Sequence, residues 1–368
     1  MTAPTPVREL ASIQCLRGAA ALLVVLFHAQ GAVLLRYPQD PGWLNGLFRL
    51  RDFGVVGVDL FFVVSGFIMF HVYRESFGKR GAAVDFMRRR MIRVAPLYWI
   101  LSSGLVFALW AAPGVFSTLR FDARHAVESL LFIPTRNSAG EHLPVLVVGW
   151  TLSYELYFYL LFALTLRTSP SFSLALLGMW FSGSAIWGAV HPAASPTGEM
   201  LGSDLLVEFV LGGIVAQALA SGRILAPAAA RAVIALAMLT LAAQVVTGFV
   251  PGGHLPGRGI PAFLLVAGLV SLEVRASLRS PAWLARIGDA SYSLYLTHIL
   301  VIALFFKASV AWGIPRWIAP DALVAFAIGA SIATAHLCHR HLEEPMLRVL
   351  RGWRRKPAAP QTRRPESV

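Results

Sequence analysis

The sequence predicts an all-α, polytopic integral membrane protein of about ten transmembrane helices. Of its 368 residues, 57% are hydrophobic and only 14% are charged, whereas about a quarter of the residues in a soluble domain are charged. Long apolar segments alternate with shorter polar ones, and lipid forces the backbone of each crossing segment to form its hydrogen bonds internally, as a helix does. The predicted spans are residues 13–35, 54–73, 94–112, 145–166, 173–190, 204–221, 231–250, 260–274, 288–310 and 321–340.

The distribution of Lys and Arg predicts the orientation of this bundle. Of the 32 such residues, seven lie between residues 74 and 93 and eight follow residue 339. Both groups lie inside if the N-terminus is cytosolic. Cytosolic loops of membrane proteins carry the excess of positive charge, so both termini are predicted to be cytosolic. We therefore attribute the net charge of +13 to contacts with membrane lipid, and we expect no nucleic-acid partner.

One membrane domain, residues 1–352, is expected, followed by a basic tail at 353–368 that is predicted to be disordered. The outer loops are short, so no soluble domain is expected between the spans. Both cysteines, Cys15 and Cys338, fall at predicted cytosolic ends, where structural disulfides are rare. No cleavable signal peptide is expected, because the first apolar run continues into a full span.

The first span carries two ionisable side chains on one face. Arg17 and His28 are eleven residues apart, which is about three helical turns and about 16 Å along the axis. Ionisable groups within membrane helices usually face a bundle interior or a wet cavity, and they often mark function. The alternative is that Arg17 is an interfacial positive charge and His28 a hydrogen-bonded core histidine.

The second span carries a carboxylate near its predicted outer end. Asp59 lies about five residues below that end, and Ser65 and Gly66 follow it. A catalytic role for Asp59 and a pairing with an arginine that holds two helices together are both compatible with this depth. Ser65 and Gly66 are small enough to favour close approach of another helix. Asp59 and Ser65 are therefore candidate cavity residues.

An arginine cluster lies in the predicted inner loop before the third span, a few residues before Tyr98. Arginine forks bind phosphate oxygens, so Arg88, Arg90 and Arg93 are candidate ligands of a phosphorylated cytosolic molecule. Tyr98 is a candidate cavity residue. The alternative is a cluster that only contacts anionic lipid. The sequence has no Walker-type or Rossmann-type glycine loop, which excludes the common mononucleotide-binding folds.

The fourth span places a carboxylate at the depth predicted for His28. The helix that contains Glu155 must begin between residues 144 and 150, which puts Glu155 about 8–15 Å below the outer surface. His28 falls in the outer half of a hydrocarbon core about 30 Å thick. A neighbouring carboxylate orients an imidazole and raises its basicity. We therefore predict a His28–Glu155 pair, with Trp150 and Ser153 as further cavity candidates.

The ninth span is rich in hydroxyl groups and contains a second histidine. Tyr295 and His298 are candidate cavity residues, although polar contacts between helices explain the same pattern. Near the C-terminus, His339 and His341 form a His-x-His pair, whose spacing is weak for a metal site. We predict no bound metal.

Six motifs follow one another along nearly the whole chain. They are Arg17-Gly-Ala-Ala-Ala…His28, Gly57-Val-Asp59-Leu-Phe-Phe-Val-Val-Ser65-Gly66-Phe, Arg88-Arg89-Arg90-Met-Ile-Arg93-Val-Ala-Pro96-Leu-Tyr98, Trp150-Thr-Leu-Ser153-Tyr-Glu155, Ser291-Tyr-Ser-Leu-Tyr295-Leu-Thr-His298 and Glu344-Pro345. In this order they resemble the membrane acyltransferase 3 family of sugar and polysaccharide O-acyltransferases. The chain also resembles the branch of that family that acts on exopolysaccharides.

The resemblance implies transfer of an acyl group, commonly acetyl, from cytosolic acyl-CoA to a carbohydrate hydroxyl at the outer face of a bacterial inner membrane. It assigns the catalytic histidine to His28, the donor-side arginines to Arg88 and Arg90, and an acid to Glu155. We add Arg17 as an oxyanion-stabilising or donor-entrance group. Acyl-CoA is a substrate, so no permanently bound cofactor is expected. Many relatives carry an extra hydrolase-like domain that is not in this sequence, so a separate polysaccharide-synthesis partner is an option.

Alternatives remain open at this stage. His28 either deprotonates the acceptor hydroxyl or first accepts the acyl group. A transporter or flippase of a lipid-linked sugar would use the same polar residues as a substrate or proton path, although the sequence shows no inverted repeat. A structural subunit of a polysaccharide synthase would tolerate replacement of His28.

Overall fold

The computed structural model of the protein describes residues 10–38, 40, 42–43, 50–113, 120–248, 253–276, 278–314 and 318–352. Within them the regular secondary structure is helical, and ten helices are long and apolar enough to cross a membrane. The all-α class and the number of spans are therefore confirmed. The tail at 353–368, predicted to be disordered, lies outside the described residues.

The described α-helices are numbered in chain order. They are α1 (Ala11–Arg36), α2 (Leu50–Gly54), α3 (Val56–Val72), α4 (Ala82–Ala111), α5 (Ala123–Leu130), α6 (Trp150–Thr165), α7 (Pro170–Val190), α8 (Pro196–Leu201), α9 (Leu205–Ala220), α10 (Pro227–Thr247), α11 (Ile260–Val274), α12 (Ala282–Asp289), α13 (Ser291–Ala311), α14 (Pro320–Cys338) and α15 (Glu344–Gly352). Two π-helical turns, Leu255–Gly259 and His339–Glu343, lead directly into α11 and α15.

The third span differs most from its prediction. Helix α4 has 30 residues and continues through Pro96, so at 1.5 Å per residue it is about 45 Å long. This exceeds the hydrocarbon thickness of about 30 Å. The arginines at 88–93 therefore lie on a helix, and the predicted inner loop is wrong at this point. Ion pairs of Asp85 with Arg88 and Arg89, one turn along the helix, support the additional turns.

Helix α1 lies between two hydrophobic clusters. Leu16, Ala20 and Val24 belong to one, together with residues of α3, α6, α9 and α11. Val25 and Val33 belong to the other, together with residues of α13 and α14. A helix buried on two sides is apolar around most of its circumference. This explains why the sequence predicts α1 as a membrane span although much of it contacts protein.

Helices α3 and α9 cross in close contact. A Cβ added at Gly66 would lie 1.9 Å from the backbone oxygen of Phe209, and one added at Gly212 would lie 1.9 Å from the backbone oxygen of Val63. Only glycine permits this approach. The close helix contact predicted at Ser65 and Gly66 is confirmed, and the partner is α9.

The loop that leads into α6 is folded into the bundle. Val145, Leu146 and Val148 are buried within it, and a 3-10 turn at Val147–Gly149 precedes the helix. Helix α6 therefore begins beneath a layer of buried loop residues, deeper than a helix that starts at the surface.

Candidate functional site

A cavity of about 200 Å³ lies between α1, α3, α4, α6 and α13. Its polar lining is formed by Arg17, Ser65, Arg90, Arg93, Thr151, Glu155, Tyr159, Ser291, Tyr292 and Tyr295. The rest of the wall is apolar and includes Phe61, Phe62 and Ile68. Such a cavity fits a ligand that has both an anionic part and an apolar part.

Glu155 is the centre of the hydrogen bonds in this cavity. Ser65 donates to Glu155 Oε1 at 3.0 Å, and Tyr159, one turn along α6, donates to the same oxygen. Arg17 and Arg90 both lie close enough to interact electrostatically with this carboxylate. Two hydroxyl donors and two cations therefore hold Glu155 in place.

Arg17 and Arg90 reach the cavity from different helices. The guanidinium carbon of Arg90 lies 5.3 Å from the ring centroid of Tyr73 and 5.9 Å from those of Phe86 and Tyr159. These aromatic contacts orient its planar group. Arg17 Nη1 donates to Gln14 Oε1 at 2.9 Å. Both arginines, predicted as site residues, thus line one cavity.

Arg93 also lines the cavity, but a carboxylate of the protein is bonded to it. Its Nη1 donates to Oε1 of Glu343, which is fully buried. Oε2 of Glu343 accepts a hydrogen bond from Ser293 at 2.5 Å and lies 3.0 Å from His339 Nδ1. Arg93 therefore uses part of its hydrogen-bonding capacity within the protein. The sequence predicted it only as a ligand-binding arginine.

Arg88 does not line this cavity, contrary to its predicted place beside Arg90. Its side chain is 40% exposed and lies 3.5 Å from Asp85. Two residues correspond to about 200° around a helix, so Arg88 and Arg90 face opposite sides of α4. Helix geometry therefore separates the two members of the Arg-x-Arg motif.

His28 contacts His298 instead of Glu155. Nδ1 of His28 lies 2.9 Å from the backbone oxygen of Val24 and 3.2 Å from Nε2 of His298. In the part of the chain that the structure describes, the hydrogen bonds of Glu155 go to Ser65 and Tyr159. The predicted His28–Glu155 pair is therefore wrong.

The depth of α6 explains this correction. The loop residues Leu146 and Val148 before the helix are themselves buried, so Glu155 lies deeper inside the bundle, on the wall that Arg17 and Arg90 also line. His28 is about 16 Å further along α1 than Arg17. The predicted depths of His28 and Glu155 were counted from the start of each helix, on the assumption that each helix begins at the membrane surface.

Tyr295 lies both at the cavity and beside the histidine pair. Phe61 also lines the cavity, and the ring centroids of Phe61 and Tyr295 are 5.6 Å apart. The Tyr295 ring lies 6.0 Å from that of His298. Its hydroxyl lies 2.7 Å from that of Thr151. The histidine pair thus adjoins the cavity at Tyr295.

Three other sequence candidates lie outside the main cavity. Tyr98 is buried and donates to the backbone oxygen of Ser129 at 2.9 Å. Trp150 and Ser153 line a separate pocket of about 100 Å³, which His142 and other loop residues also line. Residues three apart share one face of a helix, so Trp150 and Ser153 face the separate pocket, whereas Thr151 and Leu152 face the main cavity.

Asp59 faces a second carboxyl group instead of an arginine. Asp59 and Glu208 are both fully buried, and their charges interact across the contact between α3 and α9. His254 Nδ1 lies 3.8 Å from Asp59 Oδ1. Among the described residues, no backbone or side-chain N–H group and no hydroxyl group donates a hydrogen bond to either carboxyl.

Sequence reasoning missed three features of this region. It did not place Tyr159 or Tyr292 in the cavity, and it did not identify Glu343 as the partner of Arg93. Tyr159 follows Glu155 by one helical turn, a spacing that brings the two side chains together. The Glu343 contact joins residues 250 positions apart, and no local spacing signals it.

Comparison with known proteins identifies relatives over most of the chain. The acyltransferase domain family matches residues 10–337. The exopolysaccharide production protein ExoZ of Rhizobium meliloti (strain 1021) is 35% identical over 297 residues, which cover 80% of this chain and 90% of that protein. The acyltransferase MdmB of Streptomyces mycarofaciens is 28% identical over 389 aligned positions, covering 97% and 96%. No solved structure matches this chain.

Proposed function

This chain belongs to the acyltransferase 3 family and is a membrane-bound acyltransferase; from that premise we propose that it transfers an acetyl group from cytosolic acyl-CoA to a hydroxyl of an exopolysaccharide. The proposed location is the bacterial inner membrane, with both termini and the donor on the cytosolic side. The name of the relative ExoZ supports an exopolysaccharide acceptor. The charge distribution supports the orientation.

The observation that carries the proposal is a cavity with arginines, an apolar wall and a histidine pair beside one end. Arg90 and Arg93 line it together with Phe61, Phe62 and Ile68. Arginine forks suit the phosphates of CoA, and the apolar wall suits its pantetheine arm and the acyl group. We therefore assign the donor to this cavity, with its thioester directed towards Tyr295.

The proposed chemistry is a direct acyl transfer. Nε2 of His28 takes the proton of the acceptor hydroxyl while the hydroxyl oxygen forms a bond to the thioester carbonyl carbon. The carbon–sulfur bond then breaks, and the thiolate of CoA receives the proton. Arg17, about 16 Å from His28 along α1, acts together with Arg90 on the donor in the cavity rather than on the thioester oxygen, and Glu155 holds both arginines in position. Tyr295, which lies at the cavity and beside His298, must move for the thioester to reach His28.

Labelled acetyl-CoA tests this function directly. The purified protein in lipid nanodiscs is incubated with the label and with exopolysaccharide from a strain that lacks the enzyme. We expect labelled polysaccharide, or slow release of acetate when the acceptor is omitted. If neither product forms and the protein moves a lipid-linked sugar across the bilayer, the result supports the flippase instead.

His28→Ala identifies the base. We expect at least a hundredfold loss of transfer, because general bases contribute about 10²–10⁴ in rate. His336→Ala is the matched control, since its Nδ1 bonds to a carbonyl four residues earlier, as in His28, but its side chain is exposed and does not line the cavity. Near-normal product from His28→Ala would exclude His28 as the base.

A further inference from the structure

We infer that His298 is a positioning residue for His28. His298 accepts a hydrogen bond from His28 Nδ1–H and thereby keeps the lone pair on His28 Nε2 available. This inference rests on the proposed role of His28 as the base. His298 is fully buried on α13. It lies 270 residues from His28 in sequence, and the two ring centroids are 5.0 Å apart.

Backbone carbonyls determine which nitrogen of each ring carries the proton. The carbonyl of Val24 lies 2.9 Å from His28 Nδ1, and the carbonyl of Leu294 lies 2.9 Å from His298 Nδ1. A carbonyl oxygen can only accept, so Nδ1 must be the donor in both rings. In a neutral imidazole the other nitrogen then carries the lone pair.

The contact between the rings follows from this assignment. Nε2 of His298 lies 3.2 Å from Nδ1 of His28, so a lone pair of His298 faces an N–H of His28. The proton of His28 is shared between Val24 and His298. A proton on His298 Nε2 would place an N–H group opposite the N–H group of His28, and two donors repel each other. The arrangement therefore requires a neutral His298. The second lone pair, on His28 Nε2, remains for the substrate.

Among the described residues, the side chain that hydrogen-bonds to His28 is that of His298. The charged group that interacts with His28 is Arg51, whose guanidinium lies 5.0 Å from the ring of Phe27. Arginine has no acceptor atom, so it cannot accept Nδ1–H. Arg51 also opposes the positive charge that His28 gains with the proton, whereas the lone pair of His298 stabilises that charge through the hydrogen bond.

Two substitutions separate positioning from packing. His298→Phe retains a planar ring but removes the acceptor, and His298→Gln retains an acceptor oxygen. Loss of an orienting partner of a metal-bound histidine costs about 10–100-fold, and we expect a loss of kcat in that range for His298→Phe. The KM for acetyl-CoA should change less than twofold, because the donor binds at Arg90. His298→Gln should recover a clear part of kcat.

Solid-state ¹⁵N NMR on histidine-labelled protein gives a readout independent of turnover. The His28 signals, identified by their loss in His28→Ala, should show a protonated Nδ1 and an unprotonated Nε2. His298→Phe should move part of the proton to Nε2. A wild-type His28 protonated at Nε2 would overturn the inference. If His298→Phe does not fold, this wild-type measurement decides.

The outcomes distinguish this inference from the proposed function. Unchanged kcat in His298→Phe, with an inactive His28→Ala, would refute the positioning role and leave the function intact. An active His28→Ala would refute the base itself, whatever the tautomer of His28. Equal losses in kcat for His298→Phe and His298→Gln would also refute the positioning role of His298, because ring packing would then explain the effect.

Discussion

Arg93 and Glu343 form an ion pair that ties helix α4 to the π-helical turn before α15, across 250 residues of sequence. The carboxylate is fully buried, and 23% of the arginine side chain is exposed. Ser293 donates to the same carboxylate and adds α13 to the contact. Removing a carboxylate from water costs several kcal/mol, so its partners decide whether burial is tolerated.

Glu343→Gln should destabilise the protein by about 3–5 kcal/mol, because breaking a buried pair leaves the other charge without its partner. The measurement is the unfolding of both proteins in the same detergent. Glu344→Gln is the control, since its side chain is 53% exposed and its contact with His339 is at 3.4 Å. It should change stability by about 0.5 kcal/mol or less. Equal effects of the two changes would show that the buried pair contributes nothing specific.

Arg90→Ala should raise the KM for acetyl-CoA about 10- to 100-fold, because a hydrogen bond to a charged group contributes about 1.5–3 kcal/mol. Arg90→Lys should restore little, since a lysine does not reproduce the planar contacts with Tyr73, Phe86 and Tyr159. Arg88→Ala should leave KM nearly unchanged, because Arg88 lies outside the cavity. Steady-state kinetics over a range of donor concentrations checks all three. A larger effect at Arg88 than at Arg90 would move the donor site to the exposed side of α4.

Gly66→Ala should strongly reduce the yield and stability of folded protein, because its Cβ would lie 1.9 Å from the backbone oxygen of Phe209. Gly104→Ala is the matched control in a membrane helix, since among the described residues no heavy atom beyond the nearby backbone of its own helix lies within 4 Å of its Cβ position. It should be neutral or stabilising by up to about 1 kcal/mol from helix propensity. Size-exclusion profiles and unfolding midpoints of the two variants provide the test. A normally folded Gly66→Ala protein would contradict the close crossing of α3 and α9.

Impermeant labelling should place the α3–α4 connection in the cytosol. In a chain in which Ser replaces Cys15 and Cys338, Lys79→Cys and Ala194→Cys introduce single thiols at exposed positions between helices. An impermeant maleimide added to intact spheroplasts should label only Ala194→Cys, because the positive-inside rule puts Lys79 on the inner side. Labelling after lysis confirms that both thiols are reactive. The reverse pattern would invert the proposed orientation.

The spans were predictable because each depends on local hydrophobicity. A segment that crosses lipid must be apolar and must pair its own backbone groups, so its sequence alone identifies it. The ends were less predictable. The third span begins at Ala82 rather than near residue 94, because charged helical turns beyond the membrane have no hydropathy signal. Residues 145–149 were predicted as the start of the fourth span, but they form a buried loop and a 3-10 turn before α6.

The candidate site was predictable in composition but only partly in arrangement. Arg17, Ser65, Arg90 and Glu155 came from the sequence, and the structure places them around one cavity. The partner of His28 was predicted wrongly, since the depth of a side chain depends on where its helix begins and on how the helix is rotated. Neither quantity follows from the order of residues along one helix.

The sequence by itself determined the all-helical membrane fold, the number of spans and the residue types available for acyl transfer, because these depend on transfer of each segment from water to lipid and on side-chain chemistry. Tertiary structure alone decided which groups meet. His28 meets His298, Glu155 meets Ser65 and Tyr159, and Arg93 meets Glu343. Each contact joins different helices or turns, except for that of Glu155 with Tyr159, and so depends on packing between elements that no local pattern encodes.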